Sequence, residues 1–189
     1  MDYPNKYSNK NRRFEVDNIR IIVIDSPIKQ WDNPLVKDLF LKSIDIKHQS
    51  YSRVYGDTVA PYDTSDFVGT HIMITKEENS EFFPINSYKS ISLARCMQYN
   101  LDFPGLSLIE KDGSDFQKAS MRTLLDQYSK QPEKISFESS WGQDIKTRET
   151  RTRKLNLLYR NLVLMSLTSF HLSYDIDQIV VVGGVKVRT

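Results

Sequence analysis

The fold is decided by a C-terminal stretch that begins with a short strand, Lys134-Ile135-Ser136-Phe137, and ends with a second strand over Asp177–Val187. Between the two strands, a basic segment leads into Leu155–Phe170, whose apolar spacing predicts a long helix. The last strand contains Ile179-Val180-Val181-Val182 without a polar interruption, which is typical of a strand covered on both faces. The stretch therefore predicts strand, basic loop, long helix and strand.

Toward the N-terminus, strand and helix patterns alternate. Strands are predicted over Phe14–Asp25, Phe67–Thr75 and Ser87–Gln98, helices from Asn33 to about residue 48 and over Asp115–Lys130, and loops over residues 49–66 and 99–114. The second and third strands are separated by a polar spacer, which favours a hairpin. This order of elements predicts an α/β (α+β) fold.

Length and composition suit one globular domain, since the chain has 189 residues, of which 39% are hydrophobic and 26% charged. No segment approaches the ~20 apolar residues of a membrane span, and the first residues lack the apolar core of a signal peptide. We therefore expect a cytoplasmic protein without a membrane span. The single cysteine, Cys96, excludes an internal disulfide and a cysteine metal site. Because His48, His71 and His171 are far apart in the chain, they predict no metal site either.

The net charge of +2 is too small to indicate a nucleic-acid partner by itself, so the distribution of charge matters. Residues 1–13 are rich in Asn, Lys and Arg and predict a flexible basic arm ahead of a single domain over residues 14–189. The segment Lys146–Lys154 carries Arg148, Arg151 and Arg153 interleaved with threonines. At a helix N-terminus these side chains suit a phosphate or an acidic protein, although such a run is also compatible with a solvated face.

Two carboxylates, Asp63 and Asp66, come three residues apart just before a predicted strand. They suit a basic partner, such as an arginine or a substrate amine, or they cap a turn. Arg95 ends an alternating apolar run, so it either faces solvent or pairs with a carboxylate, and the two aspartates are candidates for that pairing.

Glu138 is flanked by strand residues and hydroxyls, directly ahead of the loop that leads to the long helix. A carboxylate in that position can act as a general base or orient an amine. The alternative is a surface glutamate on a strand.

Taken together, these residues resemble the acyl-homoserine-lactone synthases and the related long-chain N-acyl amino acid synthases. Those acyltransferases show an acidic motif before a strand, and this chain offers Asp63 and Asp66. They then show an arginine late in the following hairpin, where this chain has Arg95, and a Glu-x-Ser motif on the central strand, where it has Glu138 and Ser140.

The resemblance spans about residues 35–188 and implies the Gcn5-related N-acetyltransferase fold, a mixed, mostly antiparallel sheet flanked by helices. It assigns catalysis to Glu138, Ser140 and Arg95, the amine substrate to Asp63, Asp66 and Trp141, and the donor's phosphate to Arg148, Arg151 and Arg153. Glu138 would take the proton of the attacking amine while backbone N–H groups of residues 139–143 polarise the thioester carbonyl. The implied donor is an acyl-phosphopantetheine thioester with no bound cofactor, and the implied partners are an acyl carrier protein and a small-molecule amine.

The chain also departs from the pattern of these synthases. Pro61 occupies the position where the synthases have the first acid of their acidic motif. Trp141 follows Ser140, whereas in the synthases an arginine follows the serine. Only roughly 50 residues follow Glu138, which implies shortened C-terminal elements. Residues 144–153 contain no glycine, so the phosphate loop of acetyltransferases is absent, which favours a carrier-protein donor over acetyl-CoA.

These departures leave a second interpretation open, a non-catalytic binding module of the same fold that holds an acidic protein or nucleic acid through its basic loop. The aromatic residues are not interleaved with the basic ones, which argues against nucleic acid.

Overall fold

The computed structural model describes residues 18–56, 62–150 and 153–181. In this part of the chain the strands are β1 (Ile19–Asp25), β2 (Thr70–Glu78), β3 (Glu81–Ser92), β4 (Ile135–Gln143) and β5 (Gln178–Val181). The α-helices are α1 (Pro34–Tyr55), α2 (Thr64–Val68), α3 (Leu93–Gln98), α4 (Pro104–Asp112), α5 (Asp115–Gln127), α6 (Ile145–Thr150) and α7 (Arg153–Ser173).

The described strands form one sheet in the order β1-β2-β3-β4-β5. Neighbours from β1 to β4 are antiparallel, whereas β4 and β5 are parallel. A parallel pair needs a crossover connection, and α7 lies in that connection. The prediction of a mixed α/β fold with a mostly antiparallel sheet is thereby confirmed.

Both faces of the sheet bury apolar clusters, and the two largest lie on opposite faces. On one face, Tyr88 and the isoleucines of β2 pack against Tyr159, Val163 and Phe170 of α7. On the other face, Ile91 and Phe137 pack against Phe103 and Met121 of the α3–α5 region. Because opposed residues of neighbouring strands point to the same side, the two faces can be followed residue by residue through β3 and β4.

Cys96 lies at the centre of the cluster beneath α3 to α5 and is fully buried. The prediction that Cys96 lies in a strand is wrong, because Cys96 belongs to helix α3. Burial raises the pKa of its thiol to about 12.

Helix α1 begins as predicted and extends further than predicted. The Asn33 side chain accepts hydrogen bonds from the backbone N–H groups of Leu35 and Val36, and Pro34 occupies the first helical position. The helix continues to Tyr55 because residues 49–55 contain no helix breaker, and it ends at Gly56, whose φ of 68° favours glycine. The prediction of a loop from residue 49 is therefore wrong.

The predicted strand Ser87–Gln98 also needs correction. Strand β3 ends at Ser92, whose hydroxyl accepts a hydrogen bond from the backbone N–H of Arg95 and so caps α3. The predicted loop over residues 99–114 contains α4, with Pro104 at its start.

Further along the chain, the predicted strand at Lys134–Phe137 extends to Gln143 as β4, and the predicted basic loop contains α6. The predicted arm, residues 1–13, and residues 182–187 of the predicted last strand lie outside the described residues. None of the described helices combines the length and apolar character that crossing a bilayer requires.

Candidate functional site

A cavity of about 930 Å³ lies over β3 and β4 and is bounded by α1, α2 and α4. Its lining includes two lysines, several serine hydroxyls and an apolar wall that Pro104 and Leu108 contribute from α4. Such a volume accommodates a small-molecule ligand with a chain attached to it.

The cavity touches residues from both faces of β4. Ser139 is opposite Lys89 and lies on the α1 face, whereas Glu138 bonds to His171 of α7 and lies on the other face. Val181, the last described residue of β5, is opposite Glu138, and Val163 and Val181 line the same cavity. Described residues from both faces of β4 therefore contribute to the cavity lining.

A β-bulge lies between β3 and β4 beside the cavity. Ser87 is opposite Gly142 and Lys89 is opposite Ser139, so one residue of β3 faces two residues of β4. Ser140 carries the positive φ of 62° that accompanies this irregularity. The bulge interrupts the regular hydrogen-bond ladder at Ser140 and Trp141, while Ser139, Gly142 and Gln143 remain paired with β3.

Glu138 is 1% exposed, and its two carboxylate oxygens differ in their hydrogen bonding. Oε1 accepts a hydrogen bond from the Ser136 hydroxyl at 2.9 Å and one from Nε2 of His171 at 2.9 Å. Oε2 has no hydrogen-bond partner among the described residues. One oxygen is therefore fixed by the protein while the other remains available for a proton or a donor group.

Tyr88 lies beside this glutamate and is equally buried. Burial and the negative charge of Glu138 both raise the pKa of its hydroxyl, so Tyr88 stays neutral at physiological pH. Its ring stacks on Trp141, with centroids 5.3 Å apart and planes inclined by 19°. Trp141 is half-exposed and lines the cavity, so its ring forms a flat wall close to the bulge.

On the α1 face, the cavity borders a cluster of buried charges formed by Lys47, Lys89 and Asp66. Nζ of Lys47 is 3.0 Å and 2.9 Å from the two carboxylate oxygens of Asp66, and Nζ of Lys89 is 2.8 Å from Oδ1. Lys89 also donates to the Ser65 hydroxyl at 2.6 Å and lies 3.5 Å from Oδ1 of Asp63. The exposed fractions of the side chains are 7% for Lys47, 2% for Lys89 and zero for Asp66.

The pKa values of this cluster follow from its charges. Burial by itself raises the pKa of Asp66, but the positive charges of Lys89 and Lys47 outweigh it and hold that pKa below its usual value. The pKa of Lys47 is lowered by burial and by Lys89, and the attraction of Asp66 does not fully offset them. At this end of the cavity, two buried ammonium groups therefore face the buried carboxylate of Asp66 and the more exposed carboxylate of Asp63.

Asp63 and Asp66 lie at the start of helix α2 and not directly before a strand. Asp63 caps the helix, because its side chain accepts from the N–H of Ser65, while the Asp66 carboxylate accepts from the N–H of Asp63. Asp63 lines the cavity and Asp66 lies behind the lysines. The capping interpretation is therefore confirmed, and Asp66 holds basic partners as well.

The predicted pairing of Arg95 with these aspartates is wrong. Arg95 lies on α3, and its guanidinium donates to the two carboxylate oxygens of Asp25 at 3.0 and 3.2 Å and to the Val68 carbonyl at 2.9 Å. The helix begins at Leu93, which turns Arg95 toward the end of β1. Arg95 does not line the large cavity.

The remaining predicted residues divide into three groups. Ser140 and Arg148 line the cavity beside Trp141, and Arg148 is exposed. Arg153 is exposed at the first position of α7 and does not line the cavity. Arg151 lies outside the described residues.

Sequence analysis misses Lys47, Lys89 and His171. One signal for Lys47 exists, since it follows Val36, Phe40 and Ser43 along the buried side of α1, where a charged residue is unusual. Nothing in the sequence relates Lys89 or His171 to their partners, because these contacts join residues 23 and 33 positions apart.

Comparisons of the chain with protein-family models, with curated proteins and with solved structures found no match.

Proposed function

We propose that the protein is an N-acyltransferase that moves an acyl group from an acyl carrier protein or CoA thioester to the amine of an amino acid or a related small molecule. The observation that carries this proposal is the cavity over β3 and β4, whose lining includes Glu138. A cavity of about 930 Å³ has room for an acyl chain and a small amine.

The sheet topology supports the proposal. A mixed, mostly antiparallel sheet flanked by helices is what the resemblance to acyl-homoserine-lactone and N-acyl amino acid synthases implies. An open cavity beside β4 also favours transfer over the alternative of a non-catalytic module, in which a filled cleft is expected.

The chemical step requires a base and a polarised carbonyl. The amine nitrogen attacks the thioester carbon, a C–N bond forms, the C–S bond breaks, and the leaving sulfur takes up a proton as the thiol. Glu138 accepts the proton of the attacking amine on Oε2, the oxygen without a protein partner, and passes it on to the sulfur directly or through water. His171 and Ser136 hold the other oxygen and fix the orientation of the carboxylate.

The bulge at Ser140 supplies the second requirement. Within residues 139–143, the backbone N–H groups of Ser140 and Trp141 in the bulge polarise the thioester carbonyl and stabilise the oxyanion that forms on it. Arg148 at the cavity wall donates to a phosphate of the pantetheine arm or contacts an acidic carrier protein.

The proposal is tested by replacing Glu138 with glutamine. Purified protein is incubated with an acyl carrier protein charged with octanoyl or palmitoyl groups, or with the matching acyl-CoA, and a mixture of amino acids and amines, and products are measured by mass spectrometry. We expect N-acylated product with the wild type and a decrease in kcat of roughly 10²–10⁴-fold with Glu138→Gln.

The matched control is Glu133→Gln, which changes an exposed glutamate just ahead of β4 and should leave kcat unchanged. Absence of any N-acylated product with the wild type contradicts the proposal, and so does an equal rate with Glu138→Gln.

A further inference from the structure

We propose that the outer face of α7 is the interface of a two-fold symmetric dimer, in which α7 of a second copy of this chain packs against it in the antiparallel direction. The inference concerns assembly and does not depend on the proposed N-acyltransferase function. The residues that carry it do not line the large cavity.

The composition of α7 is unusual for a helix on a protein surface. Such a helix normally carries charged side chains on its outer face, whereas a helix that is apolar all round is normally buried. Between Leu155 and Ser173 the sequence contains Arg160 and no other lysine, arginine, aspartate or glutamate. Toward the sheet, α7 buries Tyr159, Val163 and Phe170. The helix is therefore apolar on its outer face as well as on its packed face.

The outer face of α7 carries a continuous stripe. Four of its apolar side chains are 46–78% exposed, namely Leu157, Leu164, Met165 and Leu172. With roughly 100° of rotation per residue, they lie in a sector about 100° wide that is opposite the packed side chains. Two exposed polar residues, Asn161 and Thr168, lie in the same sector. We call these six residues the outer stripe, which is about 22 Å long at 1.5 Å per residue.

The outer stripe has the same pattern when it is followed from either end. Its midpoint lies between Leu164 and Met165. Leu157 comes seven residues before Leu164 and Leu172 comes seven residues after Met165, while Asn161 and Thr168 come three residues before and after. A two-fold interface needs this property, because each residue contacts the position that the symmetry relates to its own partner.

Antiparallel packing about this midpoint therefore matches the residue types. Leu157 contacts Leu172 of the second copy, and Leu164 contacts its Met165, so apolar side chains cover one another at the centre and at both ends. Helices packed in this way lie roughly 8–10 Å apart, which is within reach of leucine and methionine side chains.

The polar residues of the outer stripe also match. The Thr168 hydroxyl donates to the Leu164 carbonyl at 3.0 Å, so its oxygen still has a lone pair available. In the antiparallel pair, the side-chain amide of Asn161 donates to this oxygen in the second copy. A polar pair inside an apolar helix interface fixes the register of the two helices, because any shift leaves both groups buried without a partner.

Charge complementarity at the ends of α7 specifies the antiparallel direction. Arg153 is exposed at the first position of the helix. Asp175 follows the last turn, is 84% exposed and pairs with Lys134. Antiparallel packing brings Arg153 of each copy to Asp175 of the other, whereas parallel packing brings like charges together. Surface pairs of this kind contribute little affinity but do select orientation.

A membrane surface is the competing partner for an apolar helix face. Helices that lie on membranes carry several lysines and arginines beside the apolar residues. Along the outer stripe α7 has Arg160 alone, and an aspartate follows its end. The symmetric pattern and the opposite charges at the two ends favour a second copy.

The test measures the oligomeric state by sedimentation velocity between about 1 and 200 µM, because a single helix pair is a small interface with an expected micromolar dissociation constant. We expect the wild type to change from 22.1 kDa to about twice that mass over this range. Leu164→Glu and Met165→Glu should each raise the dissociation constant at least tenfold. Phe116→Glu is the matched control, since Phe116 is 80% exposed on α5, and it should leave the constant unchanged.

A charge exchange tests the antiparallel direction. Arg153→Glu alone and Asp175→Lys alone should each weaken the dimer, because like charges then meet at both ends. An equimolar mixture of the two variants should form a dimer as tight as that of the wild type, because opposite charges meet again. Circular dichroism and a urea titration show whether each variant folds, and Met165→Gln serves as a milder removal if the glutamate variants do not fold.

Four outcomes overturn the proposal. They are a wild type that stays monomeric throughout the range, a dimer that Leu164→Glu and Met165→Glu leave intact, a mixture of the charge variants no tighter than either variant alone, and a monomer that floats with vesicles of phosphatidylcholine and phosphatidylglycerol through the same leucine and methionine.

Discussion

His71 is a buried side chain of β2 that connects the sheet to the charge cluster through a hydrogen bond to Asp66. Nε2–H donates to the Asp66 carbonyl at 2.7 Å, and the ring packs edge-on against Phe40 with centroids 5.3 Å apart. The residue is 3% exposed, and burial lowers its pKa to about 4. Because the hydrogen bond goes to a backbone carbonyl, His71 positions the start of α2 while remaining neutral.

This residue makes stability depend on pH. Unfolded, His71 takes up a proton below about pH 6.5, whereas folded it stays neutral until about pH 4, so the unfolded chain binds more protons between those values. Its contribution is fully present above pH 6.5 and decreases as the pH falls. We expect the free energy of unfolding in urea to be about 2 kcal/mol lower at pH 5 than at pH 7.5 on this account.

His71→Gln should remove that part of the pH dependence, while His48→Gln, at an exposed position of α1, should leave the profile as in the wild type. The same loss between pH 7.5 and pH 5 in His71→Gln and in the wild type would show that another group is responsible.

At the level of single residues, sequence analysis finds the carboxylates and misses their partners. The spacing of Asp63 and Asp66 is local information, because a capping box needs only residues within one turn. The partners Lys47 and Lys89 come from α1 and β3, and only the folded chain brings them to Asp66.

Among the elements, strand β4 pairs regularly with its neighbours except at the β-bulge beside the cavity. The interruption depends on Ser140, whose φ of 62° is unfavourable for most side chains and natural for glycine. A β-branched side chain is the worst choice in that region. The conformation of this one residue therefore sets the shape of the cavity at residues 139–143.

We expect Ser140→Gly to keep or slightly raise the stability of the protein, and Ser140→Val to lower the free energy of unfolding by about 1–3 kcal/mol. Ser139→Val, one residue earlier and without a positive φ, is the control and should change stability by less. Urea unfolding of the three variants gives the comparison. A valine tolerated equally at both positions would mean that the bulge does not constrain the backbone.

Element boundaries show where sequence signals were sufficient. Asn33-Pro34 marks the start of α1 correctly, because capping is a local effect. Ser92 caps α3 in the same way. The apolar run on both sides of Ser92 resembles a continuing strand, so the sequence does not predict the change from β3 to α3. Helix α4 was missed because Pro104-Gly105 is typical of a turn, although a proline also suits the first position of a helix.

For the whole molecule, the alternation of apolar and polar segments was sufficient to predict the mixed fold. The resemblance implies a mixed, mostly antiparallel sheet, and the parallel pairing of β4 with β5 is the mixed part of that sheet. The cavity could not be predicted, because it depends on how α1, α2 and α4 are spaced over the sheet.

The cavity gives a prediction at this scale. Ser107 is exposed on α4 and lines the cavity. Ser107→Trp should fill part of the cavity and reduce N-acyl transfer at least tenfold, while stability changes by less than about 1 kcal/mol because the position is on the surface. Ser107→Ala is the control and should keep full activity. Wild-type rates in the tryptophan variant would argue against the cavity as the route of a substrate.

The fully buried Cys96 has a consequence for how opening of the molecule can be followed. It is the single thiol of the chain, and it reacts as the thiolate, which burial and a pKa of about 12 suppress in the folded state. A thiol reagent such as dithionitrobenzoate therefore reports how often the cluster beneath α3 to α5 comes apart. The rate at which this single thiol reacts therefore measures the opening of the molecule in native buffer, without an introduced cysteine or probe.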